Sequence, residues 1–460
     1  MPALTKLASS IQKPLINIPR RMSPEQSDFI TSNTNLELIS KEHPVVRTCL
    51  DLIRIPSPSI RVGHPKESAM IDNMKAVGEL ISSKFKEIGV PEHFISIDEY
   101  GSLIIRVPAL KGYKNSEPLM FIAHMDIVPA DLSDPTRAIN PRLIVHKPQE
   151  GEKELYIATD GTTTLGMDDK GGVAIIQEVV RLLFTNKAHH GLIEIVISPD
   201  EETTNASLYK LNTAEYEAEK VIIVDSFDPF SIAVACSSYA TINITIDGLR
   251  GGHNGMDANK NIPNAVSVLN DLYEQIGDGV IAYDPEFSHV PLVSKTIQGF
   301  RVADTPGGAI PSKGFISITL RGRDKKLEDK EIRKIREAVR NIESKYRKLD
   351  KKLNRKIKIT MEVLDREPAW LGSPKIPLVK LLEKAAHDVG HPEIKSEPEH
   401  GFTQGNVLCR KRNKFNRKFV PAAVGMEIFN AHSTGEKGTV SSLIETPPWL
   451  YRFVELFARS

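Results

Sequence analysis

Apolar positions along the chain fall into two textures. Residues 119–123, 192–197 and 221–224 are almost wholly apolar short runs, as expected of strands buried on both faces of a parallel sheet. Around them, residues 44–55, 69–88 and 173–184 place apolar side chains at helical spacing. Near residue 238 the texture changes. Residues 241–246 and 317–320 alternate polar with apolar, which predicts strands with one wet face, and residues 265–276 and 327–349 predict helices. The first texture resumes near Arg366, with a helix over 376–389 that tolerates Pro377 in its first turn and stops at Gly390.

This order predicts an α/β fold: a mixed, largely parallel sheet with helices on both faces, interrupted by an inserted α+β domain. The expected boundaries are 41–237 and 365–460 for the α/β part and 238–364 for the insert, with 1–40 as an extension outside both. A length of 460 residues agrees, being too long for one ordinary core.

Three of the apolar runs end close to chemically useful side chains. His124-Met125-Asp126 follows the first, Asp200-Glu201-Glu202 the second and Asp225 the third. In open α/β sheets, sites form in the crevice beyond the carboxyl ends of the strands, so these groups are expected to meet although they are distant in sequence. Gly166-Met167-Asp168-Asp169-Lys170 opens a predicted helix, and Ala431-His432-Ser433 follows another partly apolar stretch. Imidazoles and carboxylates converging on an open site, with one carboxylate spare as a base, are what metal-assisted hydrolysis requires.

Each motif also has a plainer use. His124 could be a satisfied histidine at a strand end, with Asp126 as the partner of its second ring nitrogen. Either Asp168 or Asp169 could cap the helix, and a carboxylate held at that turn could also bridge two cations. Adjacent Glu201 and Glu202 could form a surface acidic cluster or diverge, one to a metal and one to a water. Gly161 and Gly166 have P-loop spacing, but Met167-Asp168 stands where Lys-Ser/Thr is needed, which excludes a nucleotide loop.

Composition narrows the partners. A formal net charge of +1 argues against a nucleic-acid footprint, and the run containing Lys325, Lys326, Lys330, Arg333, Lys334 and Arg336 reads as a solvated helix face laced with ion pairs. Three cysteines (Cys49, Cys236, Cys409) suggest a reducing compartment such as the cytoplasm. No apolar stretch approaches the roughly 20 residues of a membrane span. Residues 1–24 lack Asp and Glu and carry Lys6, Lys13, Arg20 and Arg21. They read as a disordered extension, with an organellar presequence as the alternative.

In their order and local sequence these motifs resemble the dinuclear zinc peptidases that include peptidase T, bacterial dipeptidases, glutamate carboxypeptidase and the aminoacylases. Residues 158–172 and 198–202 look most like peptidase T. The resemblance implies two zinc ions, with cobalt or manganese able to serve. It implies His124, Asp168 and Asp225 on one metal and Asp168, Glu202 and His432 on the other, with Asp168 as the bridge. Glu201 would be the general base on a bridging water, and Asp126 would orient His124. A cis peptide is expected at Asp168–Asp169.

The insert resembles the family's lid and dimerisation domain, which implies a homodimer. Its Gly251-Gly252-His253-Asn254-Gly255 segment, followed by Asn264-Ala265, implies that His253 polarises the substrate carbonyl. Arg321 matches an arginine that grips a substrate carboxylate, and Asn264, His400 and Thr403 fall in segments that hold substrate. Two departures stand out. The family's Gly-Gly-Thr-Asp-Gly appears as Gly401-Phe402-Thr403-Gln404-Gly405, with His400 replacing an arginine, and Gly308 replaces an asparagine before Ile310-Pro311.

Asp at position 225 points, by the same resemblance, to an aminopeptidase or dipeptidase acting on small peptides. An N-acyl amino acid deacylase or carboxypeptidase of the same family is the alternative. A metal- or peptide-binding protein without catalysis is the alternative of another class.

Overall fold

The computed structural model describes residues 33–146, 154–303, 307–349 and 357–460. The three continuous apolar runs form the centre of one sheet. Leu119–His124 pairs in parallel with Ile193–Ser198 on one side and Lys220–Val224 on the other, and Val420–Val424 adds in parallel to Lys220–Val224. Leu103–Val107 then joins Ile193–Ser198 antiparallel, with Ile95–Ile97 beyond it. On the other side Ser231–Cys236 meets Val420–Val424 antiparallel. Every residue of Leu119–His124 and of Ile193–Ser198 is buried, which is why neither shows an alternating pattern.

The helix Met167–Asn186 packs on Leu119–His124 and Lys220–Val224, and against the helices Pro44–Ile53 and Val440–Phe457. Its first turn lies so close to the sheet that a Cβ on Gly172 would sit 2.0 Å from the Val224 carbonyl oxygen, so glycine is required there. Val440–Phe457 stays helical through Pro447 and Pro448. Each proline removes a backbone donor. Thr446 Oγ1 donates to Ser442 O at 2.8 Å, and the buried Trp449 donates through Nε1 to Leu382 O at 2.9 Å. Trp449→Ala is expected to lower unfolding free energy by about 3–5 kcal/mol. The measurement is the urea midpoint at constant slope; a loss below about 1 kcal/mol would mean that the site collapses around the missing ring.

A second, small antiparallel sheet runs Ile428–Phe429, Lys437–Thr439, Glu154–Ala158, Arg142–His146. No strand was expected in these segments. The sheet brings the loop after residue 158 beside the loop before residue 437.

The extension ends earlier than expected. Residues Asn33–Glu42 form a helix whose Leu36 and Ile39 join the main core; the rest of the expected extension, residues 1–32, lies outside the described residues, and the presequence reading falls there. Among the described residues no helix is long and apolar enough to cross a membrane.

The chain divides into two units. One holds the described residues through Val234 with Gly372–Glu397 and Thr403–Ser460, and the other holds Ala235–Leu371 with Pro398–Phe402. The second unit therefore extends past the expected 238–364 and takes 398–402 from the first. The reasons are local: the strand Lys358–Glu367 runs on to Glu367, and His400 bonds side chains of the second unit.

That unit is a five-stranded antiparallel sheet in the order Gly279–Tyr283, Pro291–Val302, Gly314–Gly322, Ser238–Asp247, Lys358–Glu367. Ser238–Asp247 alternates buried and half-buried residues throughout. Its Ile242, Ile244 and Ile246, with Ile316 and Ile318, share a core with Ile335 and Val339 of Lys325–Leu349 and with Leu269 of Ala265–Ile276.

Candidate metal centre

The carboxyl ends of three parallel strands deliver His124, Asp225 and, one turn after Ser198, Glu201 and Glu202. His124 Nε2 lies 3.1 Å from Asp168 Oδ1 and 3.9 Å from Asp225 Oδ2. His432 Nε2 lies 3.0 Å from both Asp168 Oδ2 and Glu202 Oε1. Asp168 thus touches an imidazole with each oxygen. The Asp168–Asp169 peptide is cis.

Asp126 is fully buried and holds four groups at once. Its Oδ1 is 3.3 Å from His124 Nδ1 and accepts the Glu201 N–H at 3.0 Å, while Oδ2 accepts the Glu202 N–H at 3.0 Å and the Ser59 hydroxyl. Fixing both backbone amides makes the two glutamates diverge. Glu202 turns to His432, and the Glu201 carboxylate meets Asn205 Nδ2 at 3.3 Å.

Charge in the cluster is unbalanced. Burial alone would lower His124, but its bonds to Asp126 and Asp168 raise it well above its ordinary value. The bonds of His432 to Asp168 and Glu202 hold it up at about 11. Burial pushes Glu201 up to about 8, with Asp225, Asp126 and Asp168 adding to it, and burial followed by the Asp168 charge pushes Glu202 to about 8. Burial would raise Asp168 as well, yet its two imidazole bonds bring it below the usual carboxylate range. Cationic imidazoles beside protonated glutamates are the ionisation of an acid-rich cluster that lacks positive charge. Divalent cations would let the imidazoles bind neutral and the carboxylates ionised. The spacing fits too. Ligands about 2.0–2.1 Å from a tetrahedral ion lie roughly 3.3 Å apart, close to the 3.0–3.1 Å imidazole–carboxylate separations here.

Candidate ligand atoms of His124, Asp168 and Glu202 lie within 4.8 Å of one another, as do those of His124, Asp169 and Asp225. Asp169 was not expected among them. Its Oδ2 accepts the His124 N–H at 3.1 Å and its Oδ1 the Gly172 N–H at 3.2 Å. It therefore braces the strand end and caps the helix, the capping use the sequence allowed for either aspartate. Glu436 was missed altogether: it is buried, and its side chain accepts from four backbone N–H groups, at residues 165 to 168. A glutamate in a glycine-flanked loop carries no local signal of such a role.

The other candidates make contacts within their own units. In the second unit, His253 is exposed and its Nδ1 accepts the N–H of Gly255 and of Met256, both at 3.1 Å, which leaves the ring proton on Nε2. Asn264 caps Ala265–Ile276, its Oδ1 accepting the Val266 N–H at 2.9 Å. The Arg321 guanidinium lies 5.1 Å from the Tyr239 ring centroid. His400 has both ring nitrogens on hydroxyls, Nδ1 2.9 Å from Ser237 Oγ and Nε2 2.6 Å from Ser294 Oγ. Burial, with Arg323 and Arg321 nearby, pushes it down to about 4. His400 is therefore neutral at pH 7 and offers no cation to a carboxylate. In the first unit, Thr403 is buried and caps Gln404–Leu408, accepting the Gly405 N–H at 3.2 Å.

A largely parallel α/β sheet with one imidazole at a strand end and a second on a loop, set among this many carboxylates, offers the donor set of a metal-dependent hydrolase. Residues 120–455 match the model of Peptidase family M20/M25/M40, and the chain belongs to that family, which makes it a metallopeptidase. Peptidase T of Clostridium perfringens is 25% identical over 358 residues, covering 72% of this chain and 80% of that protein. Among solved structures, a Staphylococcus aureus tripeptidase superposes with a TM-score of 0.67 at 20% identity, covering 90% of this chain and 98% of the other. Aminopeptidase PepT from Bacillus cereus gives 0.64 at 22% identity with the same coverage.

Proposed function

We propose that the protein is an aminopeptidase of the tripeptidase or dipeptidase type, releasing residues from the free amino end of small peptides. The observation that carries the hydrolytic part of this is the divergence of Glu201 from Glu202, and the aminopeptidase part is supported by the resemblance that Asp225 brings. One carboxylate is drawn into the His432–Asp168 cluster, and its neighbour is left beside it as a base. His124, Asp168 and Asp225 would hold one metal and Asp168, Glu202 and His432 the other. Two zinc ions, or cobalt or manganese in their place, would supply a water of lowered pKa and polarise the substrate carbonyl.

Glu201 takes the proton of the attacking water and returns it to the leaving amine. Asp126 keeps His124 in one tautomer and orientation through its Nδ1. His253, with its proton on Nε2, is assigned to the developing oxyanion by the family resemblance. Arg321 is assigned to the substrate carboxylate on the same ground, and the neutral His400 to its neighbours' positions rather than to charge. A homodimer through the second unit and a cytoplasmic location complete the proposal; the latter is supported by three cysteines that form no disulfide with one another.

Protein reconstituted with zinc, cobalt or manganese should hydrolyse di- and tripeptides with free amino ends and spare the same peptides when acetylated. Preference for the acetylated forms would reassign the protein to the deacylases. Bound metal without turnover of either set would leave a binding protein.

A further inference from the structure

Two of the cluster's side chains lie away from the parallel strand ends: Asp168 is in the opening of the helix Met167–Asn186, just after the 159–166 loop, and His432 belongs to the 430–436 loop. One carboxylate joins the two, beside a bond from the Thr159 hydroxyl to the Thr434 carbonyl at 3.4 Å. Glu436 is 2% exposed. Its Oε2 accepts the N–H groups of Leu165 at 2.8 Å and Gly166 at 3.1 Å, and its Oε1 those of Met167 at 2.8 Å and Asp168 at 3.4 Å. Its own carbonyl oxygen accepts the Thr159 N–H at 3.4 Å. Successive backbone N–H groups turned to one point form an anion-binding concavity, and two accepting oxygens are what an ionised carboxylate presents.

We propose that Glu436 is a positioning residue that clamps the Asp168 loop to the His432 loop, holding the central carboxylate and its imidazole partner in register before any metal binds. The clamp is a property of the chain itself. Only its consequence for metal and turnover rests on the metallopeptidase reading of the cluster. Glu436→Gln keeps the shape but replaces one acceptor oxygen by an NH2 group that would face N–H donors.

The test is hydrogen exchange on the full-length, metal-free chain, with zinc affinity by chelator competition and steady-state kinetics on the zinc-loaded protein. In Glu436→Gln, the amides of residues 165–168 should exchange about tenfold faster or more, with the buried strand Leu119–His124 unchanged. Zinc affinity should fall by about 10- to 100-fold, and kcat should drop with KM within about twofold, as for a group that acts through a ligand rather than on substrate. Unchanged exchange at 165–168 would overturn the clamp, whatever the enzyme hydrolyses. Faster exchange with unchanged zinc affinity would overturn the positioning role.

If the wild type proves inactive on peptides, exchange and zinc binding still decide. Should the Gln variant fail to fold, Glu436→Asp, which keeps the charge but withdraws it by one methylene, is expected to move the same readouts in the same direction. The wild type also supplies an arm of its own: amides 165–168 exchanging as fast as exposed peptide would sink the proposal without any variant.

Discussion

Glu201→Gln is expected to lower peptide turnover by roughly 100- to 10,000-fold, the range of a lost general base, while metal content stays that of the wild type. The reason is the separation of roles between neighbouring glutamates. Glu202 Oε1 is 3.0 Å from His432, whereas the Glu201 side chain meets the Asn205 amide, and both backbones are pinned by Asp126. Burial and the surrounding carboxylates push Glu201 up to about 8 in the metal-free cluster; divalent cations would let it ionise, and the ionised carboxylate is the form that takes a proton from water. Gln is close to isosteric and keeps an oxygen for Asn205, so folding and metal binding should be spared. Inductively coupled plasma analysis and initial rates on one preparation decide the point. Wild-type turnover would remove Glu201 from the mechanism, and loss of metal would make it a ligand.

Asp168→Asn should have the largest effect on the metal site. Each Asp168 oxygen faces a different imidazole, His124 at 3.1 Å and His432 at 3.0 Å, and an amide can offer an oxygen to only one of them. Changes to groups that merely support a ligand cost about 10- to 100-fold in affinity, so loss of a shared ligand is expected to exceed on the order of 100-fold. Zinc at about 100 times its dissociation constant stabilises a folded protein by about 2.7 kcal/mol. That thermal shift should appear in the wild type and vanish in Asp168→Asn. A retained shift with two ions per chain would rule out a bridging role for Asp168.

Much of this centre was legible along the chain, for a definite reason. A strand buried on both faces has no wet side, so Leu119–His124 and Ile193–Ser198 announce themselves as continuous apolar runs. The crevice rule then places whatever follows them, which is how His124, Glu201, Glu202 and Asp225 come into view together. Other elements were hidden by their composition. Lys358–Glu367 carries charges along its wet face, Pro291–Val302 loses its alternation at a register shift between Ile297 and Gly299, and Val440–Phe457 contains two adjacent prolines.

The sequence by itself determined the fold class, the acidic and histidine residues at the strand ends and the adjacency of Glu201 and Glu202, because each rests on local period or on adjacency. Only the tertiary structure decided which aspartate caps the helix, that Asp126 fixes both glutamates as well as His124, and that Glu436 grips the Asp168 loop. The Asp126 contacts to the glutamates and the Glu436 contacts to the Asp168 loop join residues 75 to 271 positions apart through a sheet edge and a small second sheet. No local pattern encodes them, since a buried carboxylate is satisfied by whichever N–H groups the chain path brings to it.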